Sequence, residues 1–417
     1  KLTEKFAEEN SFTFRGAVTD LNLELEDGCY YIGPISMQQK DIIEISKKFD
    51  RVVLIDQTQE QFSHARIFLA MWKLVKDIKS TGINVEIINK EHMEYLDQWE
   101  KIFEKNQSIC MNPWILMHDG QGGHTNLCGR NWDRIKKRED IVDWKTDPEY
   151  SEIRKKMLSG EKISGCKGCY WFEEKGMRDM RWTDSFDWIT RLKIKSVEDL
   201  EKFENPVYFE VRPSNKCNLK CRMCRPKWSH LVQEETNSID DNKFQMLATH
   251  DNDDEIVNTP SFNLLNLDTM VRLYIAGGEP TIMPEVYEFL RDCVKKGKTE
   301  FEMNINTNAV KISEPLFDLF KHFSKRWFTC SIDGTPKVTE YTRWGTKSTK
   351  QIGNIHRLRT DGAGIHIISV ISIYNVHEIG SIMEFFDNEF PYATIQLNHA
   401  GYRKGILDAD NHPDRAL

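Results

Sequence analysis

Apolar positions recur along the chain with two periods. Arg51-Val52-Val53-Leu54-Ile55 and Ile83-Asn84-Val85-Glu86-Ile87-Ile88 read as short buried strands, with a helical stretch over 65–79 between them. In the middle of the chain, Asp119-Gly120 and Gly122-Gly123 supply turn chemistry for a hairpin. A helix follows over 150–158, with Tyr150, Ile153 and Met157 on one face and Gly160 as its stop. From 205 onward strand and helix alternate. Val207, Phe209 and Val211 share one face of a first strand; five more are expected at 273–276, 301–306, 327–332, 365–374 and 394–397. Helical stretches intervene at 285–295, 314–323, 349–359 and 378–388. Such alternation implies an α/β fold with a parallel sheet and right-handed crossovers. Six strands with short loops suit an open or partial barrel, and sites in such sheets gather at the carboxyl ends of the strands.

Three regions separate on this pattern: a small α/β region at 1–105, a cysteine-bearing region at 106–200 and the alternating core at 205–417. The 417 residues are long for one domain, and 39% hydrophobic with 11% aromatic residues is enough for real cores. A net charge of −8 and a pI near 5.9 do not favour nucleic acid. The one basic run, Arg134-Ile135-Lys136-Lys137-Arg138, reads as a solvated helix face. Asp251-Asn252-Asp253-Asp254-Glu255 reads as an exposed loop, with an oxygen-ligand metal site as the alternative. No glycine-rich phosphate loop accompanies the first strands, and 1–105 is expected to be scaffold or partner surface. No apolar run approaches the ~18–20 residues that span a bilayer. No signal peptide is visible, and the chain starts at Lys1. Ten cysteines, clustered rather than evenly spaced, fit a reducing cytoplasm in which thiolates stay available for metals.

Seven of those cysteines form two groups, with Cys29, Cys293 and Cys330 apart. In the first group, the strand near 211 runs into Asn215-Lys216-Cys217-Asn218-Leu219-Lys220-Cys221-Arg222-Met223-Cys224. Three thiolates on one tight loop can hold three irons of a cubane, leaving a fourth iron open. Open positions are where metal sites do chemistry. On spacing alone, zinc remains an alternative, with His230 the nearest fourth ligand.

The loop resembles the three-cysteine signature of the radical S-adenosylmethionine (radical SAM) superfamily, at the right place after the first strand. Further strand ends match in series. Gly277-Gly278-Glu279-Pro280 closes the second strand, and Asn306-Thr307-Asn308 the third. Ser331-Ile332-Asp333-Gly334 closes the fourth, Tyr341-Thr342-Arg343-Trp344-Gly345 follows, and the fifth ends at Asn375. Many members carry an aromatic residue before the third cysteine; here Met223 fills that space, and ring stacking on adenine from this position is lost. The resemblance implies a partial (β/α)6 barrel and a 4Fe–4S cluster on Cys217, Cys221 and Cys224. It implies S-adenosylmethionine on the open iron, cleaved reductively to a 5′-deoxyadenosyl radical that takes a hydrogen atom from substrate. By the same analogy, Glu279 and the Gly277-Gly278 backbone hold the methionyl amino group. Ser331 and Arg343 are candidates for its carboxylate, and Asn306 or Asn308 for the ribose. A flavodoxin, ferredoxin or reductase would supply the electron.

The second group, Cys110, Cys128, Cys166 and Cys169, resembles the Twitch domain, the short relative of the SPASM domain. That resemblance implies an auxiliary 4Fe–4S cluster fully ligated by four thiolates; four-cysteine zinc is the alternative. The order is unusual, because this domain normally follows the core and here precedes it. The match covers roughly 106–400. Tyr170-Trp171-Phe172, Trp182 and Trp188 read as packing at a domain junction, with a substrate pocket as the second reading. The expected activity is redox modification of a peptide or small metabolite. A two-cluster electron carrier and a zinc-stabilised binding module stand as alternatives from other classes.

Overall fold

Strand–helix alternation sorts the chain into a three-stranded, an eight-stranded and a two-stranded sheet in a computed structural model. The structure describes residues 29–32, 51–55, 65–82, 84–88, 93–119, 124–129, 135–176, 180–239, 262 and 265–399. The expected turn at 120–123, Arg134 and the acidic run 251–255 lie outside these.

The small sheet is parallel, in the order β1 (Cys29–Ile32), β2 (Arg51–Ile55), β3 (Asn84–Ile88). Helix Ala65–Ser80 connects β2 to β3, as the pattern requires of a parallel crossover. Its buried stripe is Trp72, Val75 and Ile78, three residues apart. Trp72 stacks on Phe186 at 5.4 Å, and Phe186 on Trp182 at 5.4 Å, so helix Met180–Leu192 meets it through rings. Trp99, from helix Met93–Lys105, donates its indole N–H to the Ile194 carbonyl at 2.7 Å.

The large sheet has the order β13-β12-β10-β9-β8-β6-β4-β5. In chain order its strands are β4 (Leu116–Asp119), β5 (Thr125–Asn126), β6 (Tyr208–Val211), β8 (Arg272–Ile275), β9 (Glu302–Thr307), β10 (Arg326–Ser331), β12 (Gly364–Ile371) and β13 (Thr394–His399). All its pairs are parallel except the β4–β5 hairpin. The six expected core strands are present within one to three residues of their expected bounds. β4 is the addition, lying parallel beside β6. Alternation sends Phe209, Val211, Leu273, Ile275, Met303 and Ile305 to one face, where each is buried. Phe320, from helix Glu314–Phe320, meets Phe328 at 4.8 Å in that core. A two-residue ribbon joins β7 (Lys220–Cys221) to β11 (Arg343–Trp344).

Two compact units result. Lys1–Met111 with Lys155–Phe203 form one, and Asn112–Arg154 with Glu204–Leu417 the other. Residues 112–154 fall in the unit of the large sheet, where β4 finds its hydrogen-bond partners on β6. Helix Pro148–Ser159 buries Tyr150 and Met157 as expected and stops at Gly160, whose φ is +83°. Within the basic run, Lys136 binds Asp147 at 2.7 Å and Glu149 at 2.8 Å, so carboxylates already answer its charge. No helix among the described residues is long and apolar enough to cross a membrane.

Candidate active site

β6 leaves the sheet through buried Ser214 and Asn215 and turns into the first cysteine loop. Short hydrogen bonds fix the loop. Arg222 donates its N–H to the Thr342 carbonyl at 2.8 Å, Cys224 to Cys221 at 2.9 Å, and His230 to Asn215 at 2.9 Å. The β7–β11 pairing sets Cys221 opposite Arg343. Burial pushes the Cys217 thiol up to about 12, and the charges of Glu279 and Cys224 add to it. Burial also raises Cys221, against the pull of the Arg343 guanidinium, with Cys224 and Cys217 adding. Three thiols that feel one another's charge on one loop are a donor set that fits a cubane. Among the described residues, no three His, Cys, Asp or Glu side chains gather to share a single metal ion. A cubane asks less, since each iron takes its own thiolate. Met223 lies beside this loop in a small apolar cluster with Val370, Ile373 and Tyr374.

His230 does not suit a zinc site. Its Nδ1 accepts the Cys217 N–H at 3.1 Å. A neutral ring that accepts at Nδ1 carries its proton on Nε2 and has no lone pair left for a metal.

The turn after β8 is stitched to the start of the loop. Gly278 donates to the Ser214 carbonyl at 3.0 Å and Glu279 to that of Lys216 at 2.7 Å. A β-carbon on Gly278 would fall 2.2 Å from the Lys216 oxygen, and one on Gly277, whose φ is +123°, 2.7 Å from the Ser214 oxygen. The missing β-carbons let this turn lie directly against the backbone of the cysteine loop. Glu279 is buried, which raises its pKa. Its Oε1 accepts from the Thr281 N–H at 3.1 Å and from the Thr281 and Thr307 hydroxyls, each at 2.6 Å. Its Oε2 accepts from the Asn308 N–H at 2.6 Å. One carboxylate thus joins the ends of β8 and β9.

The other strand-end candidates divide. Asn308 Nδ2 donates to Asn218 Oδ1 at 2.9 Å, so this side chain ties β9 to the cysteine loop. Ser331 Oγ lies 3.5 Å from Asn306 Oδ1, across the β9–β10 pair. Arg343 is 8% exposed and binds the fully buried Asp333 through Nη2 and Oδ1 at 2.8 Å. Its Nη1 reaches to 4.0 Å from the Cys221 sulfur. Asp333 also accepts from the Thr342 hydroxyl at 2.9 Å and the Val370 N–H at 3.1 Å. Glu340, nearby in sequence, accepts from the Ser348 N–H at 2.9 Å.

The second cysteine group is distributed. Cys110, Cys166 and Cys169 belong to the first unit and Cys128 to the second. All four are partly exposed thiols outside any disulfide. Cys110 lies 3.8 Å from Ser185 Oγ, which accepts the Met111 N–H at 3.1 Å. Cys166 ends the turn Ser164–Cys166, and Cys169 sits on helix Lys167–Glu174. Tyr170, Trp182 and Trp188 are buried in the first unit, whereas Trp171 is 52% exposed. A cleft of about 260 Å³ there is lined by Phe103, Tyr170 and Trp182 together with Lys162, Glu173 and Arg181. Arg181 forks onto Glu173 at 2.8 and 2.6 Å, which closes that charge internally.

The Radical SAM superfamily matches residues 211–386, a span holding the first cysteine loop and every strand-end candidate. Residues 211–386 are similar to that superfamily. Among solved structures, native anSMEcpe with bound AdoMet is 18% identical, over 47% of this chain and 52% of that one, with a TM-score of 0.34. Streptococcus suis SuiB bound to S-adenosylmethionine is 18% identical, over 61% and 55%, with a TM-score of 0.35. TsrM, a radical S-adenosylmethionine methyltransferase from Kitasatospora setae with tryptophan substrate bound, is 10% identical, over 84% and 73%, with a TM-score of 0.31. The chain spans about half the length of the first two. No curated protein matches it.

Several further residues of the matched span bond to these candidates. Gln351, fully buried, donates to the Asn308 carbonyl at 2.6 Å and the Ser331 carbonyl at 3.1 Å. Thr281 and Thr307 satisfy Glu279, and Asp333 holds Arg343. Asp333 was visible at a strand end; nothing in the helical pattern of 349–359 marks Gln351.

Proposed function

We propose that this chain is a radical SAM enzyme with its catalytic cluster on Cys217, Cys221 and Cys224. The observation that supports this most directly is the fixed three-thiol loop at the carboxyl end of β6, stitched to the Gly277-Gly278-Glu279 turn. When bound, the cluster and S-adenosylmethionine supply reductive cleavage of the sulfonium–C5′ bond and hydrogen-atom abstraction from substrate. The residues bind and orient. Glu279 Oε2, which accepts one N–H, has capacity for the methionyl ammonium, beside the backbone of Gly277 and Gly278. Ser331 and the Nη1 arm of Arg343 are assigned to the carboxylate, with Asp333 fixing the guanidinium plane. Of the two asparagines, Asn306 is preferred for the ribose, because Asn308 is committed to Asn218. The four-cysteine set Cys110, Cys128, Cys166 and Cys169 is assigned an auxiliary 4Fe–4S cluster on its donors alone. The outcome is a redox change in a peptide or small metabolite, with a flavodoxin- or ferredoxin-type donor in the cytoplasm.

Anaerobic reconstitution, then dithionite and S-adenosylmethionine, should yield 5′-deoxyadenosine. The variant with Cys217, Cys221 and Cys224 all replaced by Ala should yield none; product from that variant sinks the proposal.

A further inference from the structure

The face of the large sheet opposite its apolar core is polar, and register aligns it. His118 on β4 pairs with Glu210 on β6, Glu210 with Tyr274 on β8, and Tyr274 with Asn304 on β9. Arg212 follows two residues after Glu210, on the same face and nearer the cysteine loop. Three atoms converge there. A β-carbon placed on Gly129 would lie 3.5 Å from Arg212 Nη2, 3.5 Å from Glu210 Oε2 and 3.7 Å from His118 Nε2.

These groups are poorly satisfied within the protein. His118 is 4% exposed, and neither ring nitrogen has a hydrogen-bond partner. It lies 3.4 Å from Glu210 Oε2, too far for a good bond. Burial, with Arg212 nearby, holds the imidazole well below its usual pKa. Glu210 Oε1 takes the Tyr208 hydroxyl at 2.6 Å, which leaves Oε2 facing the convergence point. Among the described residues, the Arg212 guanidinium makes no hydrogen bond or ion pair; it lies over the Trp228 ring at 5.2 Å. Leaving such groups unpaired in a low dielectric costs ~1–3 kcal/mol each, more when charged.

We infer that this cluster is a substrate site for a free α-amino acid or similar zwitterion, with its carboxylate on Arg212 and its ammonium on Glu210 and His118. One fork donor and two acceptors around a common point match a ligand carrying both charges a few ångströms apart. A phosphate dianion would face Glu210, and a plain amine would leave Arg212 unanswered. An imidazole with both ring nitrogens unpaired has a lone pair to offer an ammonium. This rests on the radical SAM reading and narrows its substrate to a small zwitterionic metabolite.

The test is calorimetric titration of the anaerobically reconstituted full chain with each of the twenty protein amino acids, under saturating S-adenosylmethionine and without reductant. At least one should bind with a dissociation constant below about a millimolar. For that amino acid, Arg212→Gln and Glu210→Gln should each weaken binding at least tenfold, as should N-acetylation or amidation of the ligand. Gly129→Ala, whose methyl makes only ordinary contacts, should block binding while iron content stays at the wild-type level. Absence of binding throughout, binding indifferent to both charge variants, or equal binding of the N-acetyl derivative would each overturn the inference. Substrate-free 5′-deoxyadenosine formation by the same wild-type preparation is read separately; its absence would count against the radical SAM assignment and not against the zwitterion site.

Discussion

The two cysteine groups are built by different rules. Cys217, Cys221 and Cys224 lie within eight residues of one another on a loop whose backbone is pinned by β11, by the Gly277-Gly278 turn and by His230. The donor geometry there is a local property, positioned by the sheet beneath it. Cys110, Cys128, Cys166 and Cys169 are spread over sixty residues and divided between two compact units. Their geometry depends on tertiary structure throughout. A short motif on a strand end can therefore be interpreted from sequence, whereas a dispersed donor set gives only a ligand count.

Four experiments press on that contrast. The largest effect should come from replacing Cys217, Cys221 and Cys224 together with Ala. Cleavage of S-adenosylmethionine should vanish, while iron falls from about eight to about four per chain if each group holds a 4Fe–4S cluster. Iron near four in wild type, with zinc making up the difference, would make the second group structural. Next, Asp333→Ala leaves the Arg343 guanidinium in a buried site without its carboxylate. Thermal or denaturant unfolding should report a loss of ~3–5 kcal/mol; a change below ~1 kcal/mol would show that the pair holds nothing in place. Arg343→Lys is milder. The ammonium can still meet Asp333 but cannot fork toward a second partner. Both clusters should remain, and affinity for S-adenosylmethionine should fall roughly ten- to hundredfold, or ~1.5–3 kcal/mol, in titrations of the reduced cluster's spectrum. An unchanged dissociation constant would remove Arg343 from the cofactor site. The smallest effect on cleavage should come from Cys128→Ala. Iron should drop by up to half while 5′-deoxyadenosine still forms; full iron content would show that Cys128 is not a ligand.

Much of the large sheet was legible because period-2 alternation and short loops fix parallel strands locally. Phe209 and Val211, or Met303 and Ile305, declare their face without knowledge of any partner. The strand-end residues were legible for a related reason, since each closes a strand whose end was already located. Partners were not. Arg343 was a candidate for the carboxylate of S-adenosylmethionine, and the protein residue it meets is Asp333, ten positions earlier in the chain. The role of β4 was also hidden, because Leu116-Met117-His118-Asp119 suits any edge and its choice of β6 is tertiary. One signal was available there: a histidine closing an apolar run, His118, is an unusual residue to bury.

The β4–β6 pairing bears on how the polypeptide assembles during synthesis. Leu116 must pair with Tyr208, ninety-two positions later, so β4 waits for the second segment of the first unit, Lys155–Phe203, to emerge before its neighbour exists. The chain passes between units after Met111, after Arg154 and after Phe203, so neither unit is a contiguous stretch. Closing contacts over such separations is slow compared with local helix formation. In the interval, a strand carrying Leu116 and Met117 presents unpaired backbone and apolar side chains to other nascent chains. An expression fragment starting near 205 would meet the same hazard from the other side, with β6 left as a bare edge.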